Sequence, residues 1–166
     1  MNPILAGGLF IGLGCAAWTF VMGFSGWYKD PAMALYAFLP GVILIEVAGV
    51  LWGLRRTAAQ GRTYSGQVVA GTLMAIIAGA IIICSSLVFT TLVFPEYFNE
   101  LNAASREMML KEGRSEGEIA ELIEATAPMQ TPMANAMSGF LGTFVTGVIV
   151  SAIASLWIRA RPTGRL

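Results

Sequence analysis

The chain has 166 residues, 56% hydrophobic and 12% charged, with ten basic and ten acidic side chains and no histidine. Soluble domains carry about 25% charged residues, so this composition argues against a soluble enzyme and for an integral membrane protein, as does a mean hydropathy of +0.70. The lack of histidine removes the usual general base and the commonest metal and haem ligand.

About 20 apolar residues cross about 30 Å of hydrocarbon as a helix, and helices satisfy their own backbone there. Four segments qualify, at residues 3–27, 32–54, 66–94 and 133–158. The first lacks the basic n-region of a signal peptide and is too long for a typical h-region. "LGC" at Leu13–Cys15 is a poor lipoprotein site. Cys15 and Cys84 fall inside apolar runs and are expected to be small buried hydrophobes.

The connection after the second span, "RRTAAQGRTY", holds Arg55, Arg56 and Arg62 and no acid; the tail "RARPTGRL" holds Arg159, Arg161 and Arg165. The positive-inside rule puts both in the cytoplasm. Four spans require the termini to share a side, so both termini are expected to be cytoplasmic. Aromatics at the span ends, such as Trp27, Trp52, Phe94 and Trp157, fit interfacial belts.

Residues 95–132 carry eight glutamates against Arg106, Lys111 and Arg114. Tyr97, Phe98, Leu101, Ala104 and Met108 recur at helical spacing. Ser115 with Glu118 is a capping box that opens a second short helix, and Gly113 divides the two. The expectation is an extracytoplasmic amphipathic hairpin, either a cap on the bundle or a docking surface for a partner.

Small residues let membrane helices approach closely. Stripes at four-residue spacing run through Gly8, Gly12 and Ala16; Gly49 and Gly53; Gly71, Ala75 and Gly79; and Gly139, Thr143, Gly147, Ser151 and Ser155. They predict an all-α four-helix bundle.

Glu46 is the one charged side chain placed deep in a span. At about 100° per residue it shares a face with Gly49 and Gly53, and at about 1.5 Å per residue it lies about 13 Å below Arg55. It therefore points toward the packing side near the midplane. No span holds a Lys or Arg to pair with it, so a neutral carboxyl is expected at pH 7. Hydrogen-bond partners are available in Thr19, Ser85, Ser86, Thr90, Thr143 and Ser151. Pro40 leaves the Tyr36 carbonyl unpaired and loosens the helix above it. Four roles stay open: interhelical hydrogen bonding, a proton or ion site, pairing with a cation on another subunit, and part of a broken transporter helix.

In order, "GRTYSGQVVAG" entering the third span, "FPEYF" leaving it, the acidic "SEGEIAE" and "PMANA" entering the fourth span resemble DUF4199, a family of small four-helix bacterial membrane proteins of unknown function. The resemblance covers nearly the whole chain. It implies a bacterial inner-membrane location and no established reaction, cofactor or catalytic residue.

No acid–base pair, nucleophile set, phosphate loop or metal-spaced cluster converges in the sequence. Asn135 and Asp30 have no evident partner. The scattered arginines are too few for nucleic acid. The residues thus predict a non-enzymatic membrane protein without cofactor or metal. Its expected partners are the lipid bilayer and either a second copy or a larger membrane complex. The leading expectation is a structural or accessory component; the rival is a small transporter or channel that uses Glu46. A cavity lined by Glu46 with Thr143, Thr146, Ser151 and Ser155 would favour the rival.

Overall fold

A computed structural model describes residues 1–158, and the arginines at 159, 161 and 165 lie outside them. The described chain is all-α. Six helices follow in order: α1 Pro3–Phe24, α2 Leu39–Ala58, α3 Tyr64–Val88, α4 Tyr97–Lys111, α5 Glu116–Thr126 and α6 Pro132–Ala154. Four stretches are long and apolar enough to cross a membrane: α1, Leu35–Ala58, Tyr64–Val93 and α6.

Local chemistry sets the ends. The Ile4 N–H donates to the Asn2 side chain at 3.0 Å ahead of α1, and the Ala134 N–H to Thr131 at 3.2 Å ahead of α6. The first span stops at Phe24, three residues before the expected Trp27, because Gly26 turns back at φ +72°. The second continues past the expected Leu54 to Ala58. There Arg55 and Arg56 sit exposed on its last turn, and the Arg56 guanidinium stacks 4.2 Å above the Trp52 ring. The fourth ends at Ala154 rather than residue 158.

Two wide π turns precede prolines. One spans Ala34–Phe38 ahead of Pro40, and the other spans Phe89–Val93 ahead of Pro95. Proline lacks the donor an α-turn needs, and a turn of five residues passes over the gap. The Phe94 N–H reaches the Phe89 carbonyl at 2.8 Å in this way. At the first turn the Trp18 indole N–H donates to the Phe38 carbonyl at 3.2 Å.

The spans form a ring in the order α2, α1, α3, α6, with α3 packed closely on both α1 and α6 and α2 meeting α6 more loosely. Glycines set the close contacts. A Cβ at Gly8 would stand 2.6 Å from Ile77, one at Gly12 2.8 Å from Ile81, and one at Gly147 2.5 Å from the Ala75 Cβ. Gly49 meets Ile11, Gly71 meets Ser151 and Gly79 meets Phe140. Gly53 and Gly7 both receive the Met74 thioether.

The dense core lies in the half of the bundle toward the arginine loop. Ile4, Ile11, Val50, Leu54, Ala70 and Met74 are buried together there. A polar clamp closes it. Buried Gln67 donates to the Leu54 carbonyl at 3.1 Å, while its side-chain oxygen accepts from Thr57. Cys15 is buried as expected, whereas Cys84 is exposed on the outer face of α3; the apolar run shows that a residue is in the span but not which way it faces.

α4 and α5 turn at Gly113, φ +83°, a left-handed conformation that suits glycine. The capping box is formed: the Ser115 N–H donates to the Glu118 carboxylate at 2.9 Å. Arg106 and Glu116 join the two helices at 2.6 Å. α4 has no buried residue.

A candidate intramembrane cavity

Where the arginine-end half is filled, the other half is hollow. A cavity of about 490 Å³ lies among all four spans, with Glu46 among its lining residues. Glu46 is only 3% exposed. Of its sequence-level candidate partners, Thr143 is the one that binds it: the Thr143 hydroxyl donates to Oε1 at 2.5 Å. Thr146, on the next position facing inward, also borders the carboxyl. This bond ties α2 to α6 about midway along both helices.

Each span contributes. α1 brings Cys15 and Thr19, α2 brings Leu39, Val42 and Ile43 above Glu46, and α3 brings Ile82, Ser85, Ser86 and Phe89. α6 brings Asn135, Ser138, Gly139 and Gly142 above the two threonines. Asn135 does have a partner, contrary to the sequence reading: its amide donates to Ser86 Oγ at 3.0 Å. The two residues are 49 positions apart in sequence, and nothing in the local pattern links them. Asp30 likewise accepts from the Ala32 N–H at 2.9 Å. Gly139 sits against Ile82 at 3.0 Å, but a Cβ at Gly142 would meet nothing within 4 Å.

The polar stripe of the fourth span divides. Thr143 and Thr146 face the cavity. Ser151 and Ser155 are buried below it, and Ser151 packs on Gly71 and bonds its own Val148 carbonyl at 3.0 Å. Thr90 bonds its own Ser86 carbonyl at 2.9 Å. Among the described residues no group of His, Cys, Asp and Glu could hold a metal.

The mouth near the hairpin is aromatic. Tyr28, Tyr97 and Leu101 close over it, with Tyr28 and Tyr97 rings 5.1 Å apart and Phe89 5.4 Å from Tyr97. The Tyr28 hydroxyl donates to Glu100, whose other oxygen pairs with Lys29 at 3.1 Å. This is the link that fastens α4 to the α1–α2 connection. Sequence reasoning missed it because its members are 72 residues apart.

A family model described as a protein of unknown function, DUF4199, matches residues 7–160. The chain belongs to the DUF4199 family. No curated protein and no solved structure matches it. In this DUF4199 member the only acid in the spans is therefore also the acid of the cavity.

The mouth link has a pH signature. The Tyr28 and Lys29 contacts hold Glu100 below its ordinary value of 4.5. A depressed carboxylate contributes stability above 4.5 that is lost as pH falls through the lower folded value. Burial, then the Glu100 bond, push Tyr28 up from 10.0 to about 12. That contribution is whole below 10.0 and is lost as pH rises toward 12. Protection of the amides in the first turn of α4, corrected for their intrinsic exchange rates, is expected to fall below pH 4.5, and Glu100→Gln to lower it already at pH 7. Unchanged exchange in Glu100→Gln would show that other contacts hold α4.

Proposed function

We propose that this protein is a small, non-enzymatic membrane transporter of the bacterial inner membrane, with Glu46 as the proton- or cation-accepting group of a one-ended cavity. The arginine loop and both termini lie in the cytoplasm under the positive-inside rule, so the hollow half and the glutamate-rich hairpin face the periplasm. One observation carries the reading: the single intramembrane acid borders a cavity large enough for a solute, and intramembrane acids mark proton and ion routes. The dense core below Glu46 closes the arginine end of the cavity.

The accessory-subunit reading drew on the small-residue stripes, the acidic outer hairpin and the lack of converging chemistry. Those glycines are occupied within the chain: Gly8 and Gly12 by α3, Gly49 by α1, Gly53 by Met74, and Gly71 and Gly147 by α6 and α3. They no longer call for an outside helix.

Proteoliposomes loaded with a pH-sensitive dye are the test. Wild type is expected to pass protons or exchange them for a solute, and Glu46→Gln to abolish the flux while staying folded, because an amide still pairs with Thr143. Equal flux in the two would remove Glu46 from the mechanism.

A further inference from the structure

We infer that the cavity binds a lipophilic organic cation, an amine or quaternary onium, that enters from the lipid through a slot between α2 and α6. The inference rests on the transporter reading above and gives it a substrate class.

Polarity argues first. Beside the donors of Ser86, Asn135 and Ser138, the cavity offers acceptors around Glu46. Thr19 has its hydroxyl hydrogen on the Cys15 carbonyl at 2.9 Å, Ser85 on the Ile82 carbonyl at 3.1 Å, and Thr143 on Glu46 itself at 2.5 Å. Their lone pairs and the carboxyl are left to face a guest. No Lys or Arg lines the space, so an anion would find no countercharge, while a cation would find one carboxylate and the faces of Tyr28, Phe89 and Tyr97.

Size argues second. About 490 Å³ equals about sixteen waters at about 30 Å³ each. A bare inorganic ion would leave most of that space as water against Leu39, Val42, Ile43 and Ile82. An organic cation fills it with carbon and presents one charge to Glu46.

Access argues third. Four residues line the cavity and are also exposed: Leu39, 49% exposed, and Ile43, 42%, on α2, with Ser138 and Gly142 on α6, the helix that meets α2 most loosely around the ring. Gly142 contributes no side chain, and a Cβ there would touch nothing. The Glu46–Thr143 bond forms the sill of this slot. Since all four stand in membrane-spanning segments, the slot opens on hydrocarbon, where lipophilic cations concentrate.

Binding places the guest's charge on Glu46 and releases the carboxyl proton. Other titratable groups around the cavity are Cys15 on α1 and Tyr28 and Tyr97 at the mouth; α3 and α6 bring only hydroxyls and Asn135.

The test uses the full chain in lipid nanodiscs with radiolabelled tetraphenylphosphonium and, as its uncharged counterpart, triphenylphosphine oxide. Wild type is expected to bind the cation saturably above empty nanodiscs, with affinity rising by up to about tenfold per pH unit. Glu46→Gln is expected to weaken the cation by about tenfold or more and leave the neutral oxide unchanged. Should that variant not fold, Glu46→Asp is expected to weaken the cation while keeping the pH dependence. Gly142→Leu is expected to slow uptake from cation preloaded in the bilayer, and an unchanged rate overturns the lipid route. Cation binding indifferent to Glu46, or oxide bound as tightly, overturns the inference. Absence of cation binding with proton flux that still depends on Glu46 overturns it and leaves the transporter reading standing. Absence of both removes the two together.

Discussion

Gly147→Ala is expected to be among the most damaging single-methyl additions in the molecule, because the added carbon has nowhere to go. It would stand 2.5 Å from the Ala75 Cβ and 3.6 Å from the Ala75 Cα. Neither atom can rotate away, so α3 and α6, the tightest pair of helices, must separate along the line through Gly71 and Ser151. Overpacking of this kind costs about 3 kcal/mol, and with little hydrophobic drive between helices in lipid the lost contact is not replaced. Two controls bracket it. At Gly53 the added methyl meets the Met74 sulfur at 2.5 Å, a flexible unbranched chain that can shift, so Gly53→Ala is expected to cost about 1 kcal/mol or less. At Gly142 it meets nothing, and Gly142→Ala is expected to be neutral. Unfolding in mixed detergent micelles should rank the three. Equal loss at Gly147 and Gly142 would mean that α3 and α6 do not pack as described.

Gln67→Leu is expected to lose about 2 kcal/mol. Gln67 is fully buried, donates to the Leu54 carbonyl at 3.1 Å and accepts from Thr57. Leucine is one bond shorter, makes neither hydrogen bond, and leaves the Thr57 hydroxyl with only the Leu54 carbonyl, 3.0 Å away. The loss therefore falls on both helices that flank the arginine loop. A double-mutant cycle with Thr57→Val reads the coupling directly. The double variant is expected to be more stable than the sum of the singles predicts, and strict additivity would show that the clamp does not act as a unit.

The spans were legible because their composition leaves few alternatives. The face of Glu46 was legible because Gly49 and Gly53 lie one and two turns along from it. The cavity was not, and the reason is specific. Sequence cannot separate a glycine that draws helices together from one that leaves a gap. Gly147 and Gly142 look alike on paper; one faces Ala75 and the other faces open space. The stripe from Thr143 to Ser155 read as one polar line, yet the dense core ends partway along it, so its upper hydroxyls face the hollow and its lower ones are packed. Long-range pairs such as Asn135 with Ser86 and Tyr28 with Glu100 depend on how the ring closes. Gln67 was passed over because one amide near a helix start looks solvated until the neighbouring helix covers it.

The wide turns ahead of Pro40 and Pro95 have a bearing on ancestry. Each holds one residue more than an α-turn needs, so a turn of this kind can take up a one-residue change in length without altering the register of the helix beyond it. Relatives that differ in length by one residue are expected to do so at 34–38 or 89–93. An alignment that instead placed such a gap between residues 41 and 58 would rotate Glu46 by about 100°, out of the hollow and into the acyl chains.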